Sequence, residues 1–91
     1  MPGYKLYESM EPMPFSQQGD VRTFSGDVDP EELKWHRDEE DRVVVPVNHN
    51  DWMFQRDNQL PEPMDKEISI PRGEWHRVIK GTTDLVLRII K

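Results

Sequence analysis

Chemistry in this 91-residue chain has to come from a short roster of side chains. It has three histidines, His36, His49 and His76, and no cysteine, so thiolate nucleophiles, disulfides and cysteine-bound zinc are excluded together. His36 stands in Leu33-Lys34-Trp35-His36-Arg37-Asp38, where polar and apolar residues alternate. A period of two sends Leu33 and Trp35 to one side of a strand and Lys34, His36 and Asp38 to the other, which presents an imidazole and a carboxylate together. His76 ends the run Pro71-Arg72-Gly73-Glu74-Trp75-His76, in which a turn leads into the β-branched pair Val78-Ile79. His49 lies in the polar turn Asn48-His49-Asn50-Asp51 and is expected in solvent. Trp35, Trp52, Trp75 and Phe54 can stack on a ligand, but in a chain short of apolar mass they are expected as core or interface.

The elements that must position these groups are short strands. Asp29-Pro30-Glu31-Glu32 is a helix start, with Asp29 as cap, Pro30 at the first helical position and two acids at the positive dipole end. Only about a turn can follow before the alternation around His36 begins. The acids 38–41 predict a solvated corner. Val43–Val47 reads as a strand pushed toward an edge or bulge by Pro46. Asn48–Asp51 predicts a hairpin turn back into Trp52-Met53-Phe54-Gln55. A bend at Leu60–Pro63, a strand at Glu67–Ile70, a turn at Pro71–Gly73, a strand at Trp75–Ile79, a turn at Lys80–Asp84 and a last strand at Leu85–Ile90 complete the series. Such spacing indicates an all-β sandwich or barrel. Residues 1–26 read differently: three prolines and three glycines break any period, yet Tyr4, Leu6, Tyr7, Met10, Met13, Phe15 and Phe24 anchor it. This is the pattern of an extended N-terminal arm, with the domain proper over 27–91.

Composition bounds what such a domain can do. Apolar residues make up 34% of the chain, so its core is modest: either the fold is economical or a partner subunit covers part of it. Twelve basic residues against 18 acidic ones leave a net charge of −6, which argues against nucleic acid. No apolar run approaches the roughly 18–20 residues of a membrane helix, and no signal peptide opens the chain. A cytoplasmic protein, homodimeric through its exposed strand edges and its arm, is the expectation.

Pro71-Arg72-Gly73-Glu74-Trp75-His76 resembles the P-x-G-x-x-H core of the second cupin motif. His36-Arg37-Asp38, 40 residues before His76, stands where the first cupin motif carries its H-x-H pair. The resemblance covers about residues 28–91. The chain also resembles short cupin-like proteins of marine phages and bacteria, which carry a similar W-H-R-D-x-x-D-R stretch and a similar H-R-x-I-K-G-T-x-D-L ending. A phage origin would make the cytoplasm that of the host. The sequence departs from the cupin pattern at four places. Asp38 replaces the second histidine of the pair, and Arg42, with Asp41 beside it, falls on the glutamate ligand. Asp65 aligns with the glycine ahead of the proline, and Lys80 with the asparagine after the histidine.

The resemblance implies a small double-stranded β-helix barrel in which His36, Asp38 and His76 remain as a two-histidine, one-carboxylate face. Such a face suits iron, and manganese, nickel or zinc are alternatives. Arg42, a cation at a former ligand position, would hold a small anionic substrate. Three functions follow: a metal-binding small-molecule cupin; a metal-free barrel for binding or assembly, in which His36, Asp38 and Arg42 form a polar cluster; and a 2-oxoglutarate/Fe(II) oxygenase. The third draws on Arg88, which follows His76 by 12 residues and resembles the 2-oxoglutarate-binding arginine of those enzymes, but it suits so short a chain least.

Overall fold

The computed structural model describes residues 13–91. Eight strands appear in order: β1 (Ser16–Gln18), β2 (Val21–Phe24), β3 (Arg42–Pro46), β4 (Met53–Arg56), β5 (Glu62–Pro63), β6 (Ile68–Ile70), β7 (His76–Ile79) and β8 (Leu85–Ile90). They form two antiparallel sheets, one of five strands in the order β1-β2-β8-β3-β6 and one of three in the order β5-β4-β7. Among the described residues there is no α-helix, and hence none long and apolar enough to cross a membrane. The helix start at Asp29 is a single 3-10 turn over Pro30–Glu32, capped by an Asp29 carboxylate that accepts from the Glu31 N–H at 3.0 Å.

The core lies between the sheets and follows the period of two. Phe24, Val44, Ile68, Ile70, Leu85, Leu87 and Ile89 point inward from the larger sheet; Phe54 and Val78 meet them from the smaller one. Trp52 and Met64, at the strand ends, close one end of the sandwich, and the Trp52 indole N–H is satisfied by the Thr83 carbonyl at 2.6 Å.

Three expectations are corrected. The described part of the proposed arm is a hairpin built into the larger sheet: β2 pairs along β8 from Val21–Arg88 to Phe24–Leu85, and Phe24 is core. Gly19, with φ +60°, takes the first position of the two-residue turn from β1, the place where a hairpin turn asks for glycine. The anchors Tyr4 to Met10 lie outside the described residues.

Asn48–Asp51 is not a hairpin turn either, because β3 and β4 belong to different sheets. A two-residue hairpin turn there would need positive φ, and among the described residues the only non-glycine one with it is Asn58. The polar side chains instead replace ladder bonds across a corner. The Asn48 amide donates to the Asp84 carbonyl and accepts from the Val86 N–H, Asn50 accepts from the Trp52 N–H, and Asp51 accepts from both the N–H and the hydroxyl of Thr82.

Finally, the described strands form an open two-sheet sandwich and not a closed barrel. Closure requires strands long enough to carry their hydrogen bonds from one sheet into the next, and here β5 has two residues and β6 three. Pro46 fits this arrangement. The Val47 N–H bonds the Val86 carbonyl of β8, so by alternation Pro46 faces the other side, beyond the Arg42–Val44 stretch that β6 covers.

Candidate metal centre

His76 begins β7, and the turn before it explains its placement. Gly73, with φ +80°, reverses the chain; its N–H bonds the Asp38 carbonyl at 2.9 Å, and the Glu74 N–H returns to the Pro71 carbonyl at 3.2 Å. The turn thereby ties the segment carrying Asp38 to the start of β7. Alongside β7 the alternating segment makes one antiparallel bridge, in which His36 and His76 exchange both backbone hydrogen bonds, at 3.0 and 2.9 Å. Residues paired directly across antiparallel strands put their side chains on the same face. The two imidazoles accordingly lie edge to face with centroids 4.3 Å apart, and both are buried, at 8% and 4% exposure. The other face of the segment behaves as alternation requires: the Arg77 guanidinium lies over Trp35 and that of Arg37 over Trp75, outside the sandwich.

Each ring is oriented by its own backbone. His36 Nδ1 is 3.1 Å from the Lys34 carbonyl and His76 Nδ1 is 2.8 Å from the Glu74 carbonyl, in both cases the residue two before it. A carbonyl accepts only, so Nδ1 carries the proton in each ring and Nε2 the lone pair. Asp38 Oδ2 faces His76 Nε2 at 3.5 Å, while Oδ1 lies 3.6 Å from the Arg42 guanidinium. The ligand atoms of His36, Asp38 and His76 all lie within 4.8 Å of one another. Bonds of about 2.0–2.2 Å to a shared ion put neighbouring ligand atoms roughly 3–4 Å apart. The Asp38–His76 pair, at 3.5 Å, meets that distance, while the full spread of 4.8 Å is wider than it.

Burial sets the charge. It pushes the His36 pKa down to about 4, assisted by the neighbouring His76, and it lowers that of His76 as well. Both rings are therefore neutral at pH 7, the form that binds a cation. The set fits a divalent transition metal: two neutral imidazoles with committed Nδ1 protons, and a carboxylate whose second oxygen faces a cation.

These residues border a cavity of about 40 Å³ between the sheets. Its walls are mostly core residues such as Phe24, Phe54 and Leu87, and its polar members are His36, Asp38, His76, Arg42 and Arg22. Arg42 precedes Val44 by two positions and shares its inward face; its Nε is buried with no hydrogen-bond partner among the described residues. Arg22 escapes the sequence reading because its segment looks like an arm. The alternation in Val21-Arg22-Thr23-Phe24, ahead of a core aromatic, is the signal that could have found it.

Arg88 is elsewhere. It alternates with the inward Leu87 and Ile89, so its side chain, 56% exposed, points to the outer face, 3.5 Å from Asp20. The oxygenase reading thus loses its arginine. His49 is exposed, as expected, and Trp52 is core, while Trp35 and Trp75 are only half-buried. No protein-family model, curated protein or solved structure matches this chain.

Proposed function

We propose that the chain is a small cupin-like protein that binds a divalent transition metal through His36, Asp38 and His76 and works on a small anion drawn in by Arg42. The observation that carries this reading is the directly opposed histidine pair, each Nδ1 committed to a carbonyl, with Asp38 at 3.5 Å from His76. The strand order supports it. With the His36 segment counted as a strand after β2, the chain has eight core segments, β1 aside. They pair first with eighth, second with seventh, third with sixth and fourth with fifth, and the pairings third with eighth and fourth with seventh join these into the two sheets. That is the pairing of a long hairpin rolled into a jelly roll, the architecture to which cupins belong.

When bound, iron, manganese, nickel or zinc supplies Lewis-acid or redox chemistry. The chain's own residues do the rest: the Lys34 and Glu74 carbonyls hold the two rings in register, Arg42 draws an anion, and the apolar walls exclude bulk water. Elemental analysis of protein purified without an affinity tag tests the proposal. Near-stoichiometric metal, on isolation or after soaking, is expected; none after soaking overturns it.

A metal-free binding or assembly module is the second reading, favoured by Asp38 already lying between Arg42 and His76. The homodimer belongs to the proposal too. Ile90 and Val47 expose apolar surface at 45% and 54%, and β6 is an edge strand. Light scattering at micromolar concentration is expected to return twice 10.8 kDa, and a monomer mass rejects the dimer.

A further inference from the structure

The charge around the cavity opposes that of the whole chain. The protein carries −6, yet the cavity is bordered by two guanidinium groups, Arg22 and Arg42, against one carboxylate, Asp38. Arg22 approaches from β2, with its Nε on the Gln17 side-chain oxygen at 2.9 Å and its guanidinium 3.9 Å over the Phe15 ring. Arg42 approaches from β3 and meets Asp38 at 3.6 Å, longer than a hydrogen bond, while its Nε is buried with no hydrogen-bond partner among the described residues. A buried donor left unsatisfied is costly.

We infer that the cavity is an anion site in which Arg42, flanked by Arg22, holds a compact oxyanion of about three or four heavy atoms, of the size of formate, bicarbonate or acetate. The size follows from the space: a water needs roughly 10–15 Å³ measured this way, so about 40 Å³ takes about three such positions. The class follows from the donors. A guanidinium fork matches a two-oxygen anion, and a net positive pocket with apolar walls, where Coulomb attraction is poorly screened, selects negative charge. Arg22 is a positioning and steering residue here; Arg42 is the one that touches the ligand. This inference names the substrate class of the site proposed above. It rests on that reading only for the added attraction of a cation, since the two arginines stand whether or not metal binds. A dicarboxylate of the length of 2-oxoglutarate is larger than this space and fits it less well.

Calorimetric titration of the full chain with sodium formate, and separately with 2-oxoglutarate, tests it, with and without one equivalent of Zn²⁺. Formate is expected to bind in both forms and more tightly with Zn²⁺, while 2-oxoglutarate binds more weakly than formate. Arg42→Gln is expected to weaken formate roughly ten- to hundredfold, the loss of a charge-assisted hydrogen bond. Arg42→Lys retains part of the affinity, and Arg88→Gln, on the outer face, leaves it unchanged. Should Arg42→Gln unfold, Arg22→Gln serves, with a smaller loss and slower association. Stoichiometric Zn²⁺ binding with no formate binding at tens of millimolar overturns the inference, as does formate affinity that ignores both arginine variants. Formate binding without Zn²⁺ binding supports the anion site and removes the metal reading, so the two fail separately.

Discussion

His76→Ala is expected to lose metal roughly a hundred- to thousandfold while the sandwich stays folded. Zinc sites with four protein ligands bind with about 10–16 kcal/mol, so one ligand accounts for about 3–4 kcal/mol, which is that range in affinity. The fold survives because what holds β7 is not the ring. The bridge to His36 is made by backbone N–H and C=O groups, the ladder to β4 runs from Met53–Ile79 to Arg56–His76, and the Gly73 turn is tied to the Asp38 carbonyl. The ring gives up its contacts with Phe54, 5.5 Å between centroids, and with His36, its Nδ1–H bond to the Glu74 carbonyl and its approach to Asp38. Competition against a chromophoric chelator measures the affinity, and circular dichroism the fold. His49→Ala, on the exposed corner, is the control and should bind metal as the parent does. Equal affinity in His76→Ala and the parent would remove His76 from the site; a collapsed fold would make it a structural residue.

Acid should destabilise the metal-free protein before its carboxylates titrate. An unfolded histidine takes up a proton near pH 6.5, while folded His36 stays neutral down to about pH 4 because burial and His76 penalise its charged form. The unfolded state therefore binds more protons across that window. The stability is fully present above about pH 6.5 and is lost as the pH falls toward 4. At about 1.4 kcal/mol per pH unit, His36 alone removes about 3 kcal/mol, and His76 shifts in the same direction. Domains of this length hold on the order of 5–14 kcal/mol in all, so the loss is a large share. Asp51, whose carboxyl is held below its ordinary value by two bonds to Thr82, acts only at lower pH and does not blur the window. Urea unfolding at neutral pH and at a pH just above 4 should show the midpoint falling, and His36→Gln should remove most of the fall. A stability profile flat across this range would mean that the rings charge inside the folded protein.

How much of this was legible in the sequence depends on the range of the interaction that decides each feature. Local chemistry was readable. The Asp29 cap on Pro30–Glu32, the Pro71–Gly73 turn, the strands at Ile68–Ile70, His76–Ile79 and Leu85–Ile90, and the shared face of His36 and Asp38 each follow from residues within a few positions of one another. The all-β class follows from their sum. What the residues could not state is which strand lies beside which. Asn48–Asp51 has the composition of a hairpin turn, yet its amides and carboxylate are consumed by Thr82, Asp84 and Val86, more than 30 residues away, and the chain turns a corner between sheets. Residues 13–26 carry Pro14, Gly19 and Gly26, breakers of the kind a loose arm has, yet β8 offers an unpaired edge that β2 completes, and burial of Phe24 outweighs the breaks.

The site divides along the same line. Its donor types, and the pairing of His36 with Asp38, belong to the sequence, because alternation is a property of one strand. The meeting of His36 with His76, the entry of Arg22 and the exit of Arg88 were decided by tertiary structure alone. Each turns on register: a strand moved by one residue exchanges its two faces, and no local preference records which residue stands opposite. Arg88 and Arg22 show it most plainly. They are offset by one across the same pair of strands, β8 and β2, where Arg88 pairs with Val21 and Arg22 with Leu87. That single step leaves one guanidinium in solvent and turns the other toward the cavity, since the pleat sends neighbouring pairs to opposite faces.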